Sequence, residues 1–367
     1  MKIGILGSRG IPNHYGGFEQ FAEYLSLGLS EMGAEVWVYC SHNHPFNGKK
    51  WKSVNLIHCY DPEDKMGTAG QFIYDLNCIL DSRHRNFDVL IQLGYTSSSV
   101  WHWLLPSSLV IITNMDGLEW KRSKYGIQVQ KFLKYAEKLA VTHSDFLVAD
   151  SEAIAGYLSE EYSRDAFFIP YGAEIFDKPD ESALQPFGLE KFDYHLLIAR
   201  MQPDNHVEEI IKGVIGSDCS KPLVVVGKTD NAHGSWLKKR YSSEKIQFTG
   251  GIYDLNVLNQ LRYFSNFYFH GHSAGGTNPS LLEAMAASAV ICAHENPFNK
   301  AVLAKDAFYF KDEKEITRLL NSTEGKPNHR EFIDNNRLKI KTKYSWEGVI
   351  NGYYDLFQLA LSKKKRD

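Results

Sequence analysis

The residues of this chain that are best suited to hold an anion stand directly before a predicted helix. Gly275, Gly276 and Thr277 form a loop of small and polar residues. Asn278 can cap free backbone N–H groups, and Pro279 fits the first helical position because the N–H that it lacks is not needed there. A helix N-terminus presents unpaired N–H groups and the positive end of the helix dipole. The pattern predicts a phosphate site, although α/β proteins that bind no phosphate also carry glycines between strand and helix.

Three further residues extend this predicted site along the helix and into the loop before it. Glu283 lies within the first two helical turns, where its carboxylate can accept hydrogen bonds from a sugar hydroxyl beside the phosphate. Leu281 belongs to the apolar body of the helix and is counted with the predicted ligand-binding residues. His272 is predicted either to contact the ligand or to cap or pack the loop.

The segment GGTNPSLLEAMA as a whole resembles the signature of retaining, nucleotide-sugar-dependent glycosyltransferases of the GT-B type, family 4. In that family the segment carries two glutamates eight positions apart, and the second binds the nucleotide ribose. Glu283 matches the second glutamate. The first falls on Gly275, so the resemblance implies a ribose ligand at Glu283 and a missing carboxylate beside the donor sugar.

Of the two basic residues that form the family's diphosphate site, this chain has one at the matching position. In the family, an arginine at a strand end and a lysine five residues later hold the donor diphosphate. Arg200 matches the arginine, and Asn205 stands at the lysine position. A guanidinium can bind a diphosphate through two parallel hydrogen bonds and stabilise the charge that develops as the nucleoside diphosphate leaves. Lys228 could supply the second charge, or it is a solvated loop lysine.

The loop after the first strand, together with the beginning of the first helix, reads GSRGIPNHYGGFEQFAEYLS. Gly16 and Gly17 open the helix and permit close backbone approach to a phosphate or sugar. The GxGxxG pattern is missing, which disfavours an NAD-dependent oxidoreductase. The segment resembles the first-domain signature of a bacterial subgroup of these transferases, the rhamnosyltransferases of polysaccharide assembly.

Asp116 ends a predicted strand at a point where many family members have a histidine beside the reacting sugar. The stretch DGLEWKR resembles the subgroup's own variant, so Asp116 is predicted to bind a donor hydroxyl or orient the acceptor hydroxyl, with Glu119 as a second candidate. The alternative is a helix cap at which Gly117 turns the chain. Tyr253 stands where the family's backbone reads the base, and it is predicted to stack there or to be a surface tyrosine.

Apolar strands that alternate with amphipathic helices position these residues and predict two α/β domains with parallel sheets buried on both faces. The predicted strands of the first domain are Ile3–Leu6, Val36–Cys40, Leu56–Cys59, Val89–Leu93, Leu109–Asn114, Phe146–Ala149 and Phe167–Pro170. Those of the second are Leu196–Ala199, Leu223–Val226, Ile246–Thr249, Phe267–His270, Val290–Ala293 and Phe308–Phe310. Two such Rossmann-like domains facing one another would place a cleft at the carboxyl ends of the strands.

The domain boundaries follow from where this alternation fails. Residues 173–193 contain two prolines and several acids without a periodic apolar pattern, which indicates an inter-domain linker. The expected domains are 1–175, which would bind the acceptor, and 176–344, which would bind the nucleotide sugar. An amphipathic segment at 345–367 is expected, from the resemblance, to cross back and complete the first domain.

Composition narrows the class of protein. Of 367 residues, 43% are hydrophobic and 23% are charged, and the net charge of −3 argues against a general nucleic-acid binder. The five cysteines lack zinc-site spacing, so buried free thiols are expected, and no metal or other cofactor is predicted. The start MKIGILGSRG is interpreted as a strand rather than a signal peptide, and no apolar run is long enough for a bilayer. The expected location is the cytoplasm.

The sequence therefore predicts a glycosyltransferase that moves a hexosyl or deoxyhexosyl group with retention of configuration. The resemblance favours rhamnose from dTDP-rhamnose, with UDP sugars as the other donors, and a saccharide or lipid-linked saccharide acceptor in bacterial surface polysaccharide synthesis. Basic and aromatic residues between Trp120 and Lys138 suggest peripheral contact with an anionic membrane, or simply a solvated helix face. Two other classes stay open: an epimerase of the same fold, and a non-catalytic nucleotide-sugar-binding subunit.

Overall fold

The computed structural model describes residues 1–14, 16–122, 125–273 and 275–364. The chain divides into two compact units. The first comprises Met1–Trp120, Ile127–Gly172 and Trp346–Asp367, and the second comprises Lys121–Gly126 and Ala173–Ser345. Each unit contains one sheet covered by helices, which confirms the predicted α/β architecture with two Rossmann-like domains.

The sheet of the first unit has eight strands in the order β3-β4-β2-β1-β5-β6-β7-β8. All neighbours are parallel except the short β3, which pairs antiparallel with β4. The central strands are buried along their whole length because helices cover both faces. The strands are β1 Lys2–Leu6, β2 Glu35–Ser41, β3 Lys50–Trp51, β4 Val54–Cys59, β5 Val89–Leu93, β6 Val110–Asn114, β7 Phe146–Ala149 and β8 Ala166–Phe168.

The α-helices of the first unit connect these strands and include the last helix of the chain. They are α1 Gly17–Glu31, α2 Glu63–Met66, α3 Gly70–Ser82, α4 Ile127–His143, α5 Glu152–Tyr162 and α13 Trp346–Lys364. On α13, Trp346 stacks flat on Tyr24 of α1, with ring centroids 4.4 Å apart. A Cβ at Gly28 would lie 2.3 Å from Ile350, so the glycine lets the two helices approach closely. The C-terminal helix is therefore part of the first unit.

The sheet of the second unit has six parallel strands in the order β11-β10-β9-β12-β13-β14. The strands are β9 His195–Ile198, β10 Leu223–Val226, β11 Ile246–Gly250, β12 Tyr268–His270, β13 Ile291–His294 and β14 Phe308–Phe310. The helices are α6 Val207–Ile215, α7 Ala232–Tyr241, α8 Leu255–Phe264, α9 Pro279–Ala286, α10 Pro297–Leu303, α11 Glu313–Ser322 and α12 Arg330–Lys343. Strand β9 lies beside β12, so residues that follow these two strands meet at one edge of the sheet.

The segment predicted as a linker belongs to the second unit. It contains a 3₁₀ helix at Glu181–Phe187, in which Leu184 is buried. Phe176 packs edge-on against Tyr263 of α8. At its beginning, Ala173 pairs with Ser345 in an isolated parallel bridge, so the chain enters and leaves the second unit side by side. Isolated apolar residues such as Leu184 and Phe176 pack this segment against the second unit. Its sequence therefore has no periodic apolar pattern.

Asp75 is a buried carboxyl group of α3 in the first unit. It accepts a hydrogen bond from the Ser97 hydroxyl. Its pKa is raised to about 7: burial is the largest cause and the nearby charge of Asp61 adds to it, while the Ser97 hydrogen bond and the charge of Arg9 act in the opposite direction. Asp75 is therefore a group whose protonation changes near neutral pH inside the folded domain.

The described part of the chain contains neither a membrane-spanning helix nor a cluster of metal-ligating side chains. None of its helices is long and apolar enough to cross a membrane. No group of three or more His, Cys, Asp or Glu side chains among these residues has an arrangement that could hold a metal ion. The cysteines are free, and Cys40, Cys59, Cys78 and Cys292 are buried as thiols.

Candidate functional site

The predicted helix start at residue 278 is present. Strand β12 ends at His270 and α9 begins at Pro279, which occupies the first helical position. The Asn278 side chain caps the helix by accepting a hydrogen bond from the backbone N–H of Ser280 at 3.0 Å. Leu281 is buried and anchors the first turn in the core. The strand, loop and capped helix thus form the arrangement that directs N–H groups and a positive dipole end into the loop.

Gly275 has a backbone conformation that explains its residue type. Its φ is +127°, a region that residues with a side chain rarely adopt. No described atom lies within 4 Å of the position that a Cβ would take, so space alone does not require glycine. The backbone conformation of Gly275, rather than crowding around it, therefore explains the glycine. Gly276 is half-buried and Thr277 is buried beside it.

The loop before α9 is held by polar side chains and backbone groups of neighbouring segments. Ser273 donates to the carbonyl of Asp204 from both its backbone N–H, at 3.1 Å, and its hydroxyl, at 2.9 Å. The carbonyl of His272 accepts from the side-chain amides of Asn296 and Asn299 at 3.0 and 3.1 Å. The sequence did not predict these three partners, because they lie in other segments of the chain: Asp204 follows β9, and Asn296 and Asn299 follow β13 at the start of α10.

Arg200 and Asn205 follow β9, beside this loop, but they have different roles. The Arg200 side chain is exposed to solvent. Asn205 is buried, and its side-chain amide donates to the Arg200 carbonyl at 2.8 Å. The Asn205 carbonyl would lie 2.0 Å from a Cβ at Gly271, so the glycine lets the backbones of the two loops approach closely. Asn205 thus fixes the loop that carries Arg200 and presents no positive charge.

A second arginine, Arg122, lies at the same loops. Its Nη1 is 3.7 Å from Oδ2 of the buried Asp204 carboxylate. The pKa of His272 is lowered to about 3, first by burial and then by the positive charges of Arg200 and Arg122. His272 is therefore a neutral imidazole, and its Nδ1 has no hydrogen-bond partner among the residues that the structure describes. Within the sequence motif DGLEWKR only the two acids were predicted to lie at the ligand site, and Arg122 was counted among the basic residues of the possible membrane contact.

Glu283 forms an ion pair that the sequence did not predict. Its Oε2 accepts a hydrogen bond from Nη2 of Arg262 at 2.5 Å. Arg262 lies on α8 and is almost completely buried, whereas the Glu283 side chain is 14% exposed. The sequence did contain a signal for Arg262, because it stands four residues after Leu258 and beside Leu261 on the apolar side of α8.

Lys228 and Tyr253 are brought together at the ends of the neighbouring strands β10 and β11. The Lys228 ammonium is 5.3 Å from the centroid of the Tyr253 ring, within cation–π distance. Tyr253 is 60% exposed. The pair forms a small exposed platform with one flat ring and one positive charge.

In the first unit, Asp116 stands just beyond β6 with a φ of 48°, which is uncommon for a residue other than glycine. Its backbone N–H donates to Asn114 Oδ1 at 2.9 Å, and the Asn114 amide donates to the Tyr353 hydroxyl at 3.0 Å. Asp116 is half-buried. The arrangement places a carboxylate at the carboxyl end of a central strand in a fixed and unusual backbone conformation.

Gly16 and Gly17 stand at the start of α1, Gly16 as the extended residue before the helix and Gly17 as its first residue. Tyr15 lies outside the described residues. The preceding loop is tied down by carboxylates: Glu19 accepts from the Arg9 backbone at 2.8 Å, and Glu63 binds the Arg9 guanidinium through two hydrogen bonds of 2.7 and 2.6 Å. In this loop, Arg9 is therefore engaged with Glu63.

Comparison with known proteins gives two kinds of match. A family model described as "Domain of unknown function (DUF1972)" matches residues 1–174. No curated protein matches the sequence. Among solved structures, the chain is similar to sucrose-phosphate synthase from Thermosynechococcus elongatus, with a TM-score of 0.81 and 15% identity over 99% of each chain.

Two further solved structures share this architecture. HepE of Anabaena, in complex with UDP and glucose, has a TM-score of 0.75 and 12% identity over 98% of this chain and 99% of its own. WaaG, a glycosyltransferase involved in lipopolysaccharide biosynthesis, has a TM-score of 0.72 and 14% identity over 97% and 99%. The fold is GT-B. Identities this low establish the fold and nothing further.

Within this GT-B fold, the predicted residues of the second unit fall into two groups. One gathers at the ends of β9 and β12 and the start of α9, and it consists of Arg200, Asn205, His272, Gly275, Gly276, Thr277, Asn278, Leu281 and Glu283. The other is the pair Lys228 and Tyr253. The first group combines a helix N-terminus, an exposed guanidinium and a neutral imidazole, which suits a phosphorylated ligand.

Proposed function

We propose that this chain is a glycosyltransferase whose second unit binds a nucleoside diphosphate sugar. The observation that carries the proposal is the glycine loop at α9. Asn278 caps the helix, Gly275 bends the loop, and Glu283 is held by an ion pair in the second turn. A helix N-terminus that binds phosphate beside a carboxylate that binds a ribose is the pair of functions that such a donor needs. HepE, which shares the GT-B fold, was solved with UDP and with UDP-glucose.

The donor diphosphate would lie between the start of α9 and the arginines. Arg200 is exposed at the end of β9 and supplies one charge. Arg122 supplies the charge that Asn205 lacks, because it lies at the same loops through its contact with Asp204. The low pKa of His272 keeps this imidazole neutral, so it can accept or donate a single hydrogen bond to the donor. The Tyr253 ring would stack on the base.

The reaction would be transfer of the sugar to a hydroxyl with retention of configuration. Charge develops on the nucleoside diphosphate as the glycosidic bond breaks, and Arg200 with the α9 dipole stabilises that charge. Asp116 would orient the acceptor hydroxyl or bind a donor hydroxyl. No step in this scheme requires a metal ion, because the helix N-terminus and guanidinium groups neutralise the diphosphate.

The proposed donor is dTDP-rhamnose, and the proposed acceptor is a saccharide or lipid-linked saccharide of a bacterial surface polysaccharide. The resemblance of residues 7–26 to rhamnosyltransferases supports the sugar. The glycine at 275 supports it as well, because a carboxylate facing a sugar without the matching hydroxyl would be left unpaired at a cost of about 1–3 kcal/mol. Backbone N–H groups of Gly276 and Thr277 would then bind the hydroxyls that remain.

Peripheral contact with an anionic membrane would bring a lipid-linked acceptor within reach. On α4, Ile127 and Tyr135 are 72% and 56% exposed, and Lys131 and Lys138 are exposed among them. Lys134 does not contribute to this surface, because it pairs with the carboxylates of Glu137 and Glu161. Exposed apolar and basic side chains on one helix are typical of a surface that rests on anionic lipid.

A donor panel tests the function. We expect dTDP-rhamnose to raise the melting temperature more than UDP-glucose, UDP-galactose or UDP-N-acetylglucosamine, because a bound ligand stabilises in proportion to its affinity. Product from a saccharide acceptor, with its anomeric configuration read by NMR, then tests transfer and retention. Highest kcat/KM with UDP-glucose would contradict the rhamnose donor. Conversion of the donor alone into another sugar would indicate an epimerase, and binding without turnover on every acceptor would indicate a non-catalytic subunit.

A further inference from the structure

The Arg262 side chain is a buried cation at the base of α9. Its side chain is 1% exposed, and three of its contacts are with polar groups. Nη1 donates to Asn259 Oδ1 at 2.9 Å, while Nη2 donates to Glu283 Oε2 at 2.5 Å and to Ser280 Oγ at 3.3 Å. One terminal nitrogen therefore holds both the first turn of α9 and the carboxylate one turn later.

Further hydrogen bonds connect the contacts of Arg262 to strand β12. The Tyr268 hydroxyl of β12 lies 2.8 Å from the same Ser280 Oγ. The backbone N–H of Ser280 is in turn capped by Asn278 at 3.0 Å. The start of β12, the cap of α9 and Glu283 thus belong to one hydrogen-bonded network that includes Arg262.

Burial of a guanidinium costs free energy because the charge loses its hydration. An apolar side chain of similar size would fill this space without that desolvation penalty. Nε of Arg262 adds to that cost, because it has no hydrogen-bond partner among the described residues. The buried end of the ion pair is the arginine, and the carboxylate is the end that reaches solvent. A pair built this way holds the carboxylate in one fixed direction, with its partly exposed end in the second turn of α9.

We propose that Arg262 is the positioning residue for Glu283, and that it orients the carboxylate toward the pentose hydroxyls of the donor nucleotide, which are the 3′-hydroxyl in dTDP and the 2′- and 3′-hydroxyls in UDP. The inference rests on the proposed function, because it assigns Glu283 to the ribose. Arg262 itself does not contact the donor. Its contribution is that the carboxylate is ordered before the nucleotide binds, so less side-chain entropy is lost on binding.

The test compares nucleoside diphosphates with and without ribose hydroxyls. Calorimetric titration of UDP and of its 2′,3′-dideoxy analogue is made on the full chain and on Glu283→Gln, Arg262→Met, Arg262→Lys and the Glu283→Gln/Arg262→Met double variant. We expect Glu283→Gln and Arg262→Met each to weaken UDP binding by roughly tenfold or more. The dideoxy analogue should bind all five proteins with affinities within about threefold. Arg262→Lys, which keeps the charge, should recover part of the UDP affinity.

The double variant and the kinetics separate positioning from general damage to the fold. Because Arg262 acts through Glu283, Arg262→Met should change UDP affinity less than about threefold in the Glu283→Gln background. Donor KM should rise in Arg262→Met while kcat stays within about twofold. Equal losses for UDP and its dideoxy analogue in the Arg262 variants, with no recovery by lysine, would overturn the positioning role. Unchanged UDP affinity in Glu283→Gln would instead overturn the ribose assignment within the proposed function.

Discussion

The protonation of Asp75 gives the first unit a stability that depends on pH. The carboxyl has a pKa of about 7 in the fold and an ordinary value of 3.8, so the folded state binds its proton more tightly than the unfolded chain does. The contribution to stability is fully present below pH 3.8 and is lost as the pH rises through the folded pKa. Between these values, the free energy of unfolding should fall by about 1.4 kcal/mol per pH unit.

The perturbation is Asp75→Asn, which removes the titration and keeps a group that can hydrogen-bond to Ser97. Urea unfolding of the natural chain and the variant is measured from about pH 4.5 to pH 8. Other titrating groups cancel in the difference between the two proteins. From about pH 4.5 to 6.5 that difference should change by roughly 2.7 kcal/mol, with the natural chain losing stability relative to the variant, and it should level off above pH 7.

Ser97→Ala is the matched variant, because the Ser97 hydrogen bond lowers the pKa of Asp75. Its removal should move the end of the pH-dependent range upward. Parallel pH profiles for the natural chain and Asp75→Asn would refute the reasoning. In that case the Asp75 carboxyl would have the same degree of protonation in the folded and unfolded states at every pH in the range.

Three further predictions concern the second unit and α4. Arg200→Ala should lower kcat more than donor affinity, because the diphosphate gains charge in the transition state. Steady-state kinetics measures both, and equal losses would mean that Arg200 stabilises the bound donor and its transition state to the same extent. Gly275→Ala should lower the melting temperature and weaken nucleotide binding, because an alanine at φ +127° is strained by about 1–3 kcal/mol. Gly156→Ala, a helical position with open space, is its control and should leave stability equal or higher; a harmless Gly275→Ala would contradict the backbone argument. Replacing Lys131 and Lys138 by glutamate should abolish salt-sensitive sedimentation with anionic vesicles, and retained binding would place the membrane contact elsewhere.

The sequence predicted the sheets and the α9 cap because both depend on local patterns. Buried parallel strands are continuous apolar runs, so Val89–Leu93 and Leu223–Val226 were predicted with their observed bounds. Asn278 and Pro279 are a helix start whose signal lies within two residues. The short strand Lys50–Trp51 was missed, because two polar or half-buried residues at a sheet edge have no such pattern.

The parts of the site that the sequence missed depend on contacts between distant segments. Arg262 and Glu283 are separated by a strand and a loop, and only the packing of α8 on α9 brings them together. Asn205 was grouped with the predicted diphosphate ligands by its position, whereas its amide is used within its own loop. The positive φ of Gly275 depends on how the loop leaves β12, which no local pattern in the sequence reveals.

The pairing of Ala173 with Ser345 has a consequence for how the protein is made. The second unit is one almost continuous insertion into the first, so it can fold on the ribosome while synthesis continues. The first unit cannot be completed until α13 has emerged from the ribosome, because Phe21 and Tyr24 of α1 pack against Trp346 and Tyr353 of α13. Until then, the nascent first unit exposes an apolar helix face to the cell. Truncation near the C-terminus should therefore damage the half of the protein that was translated first.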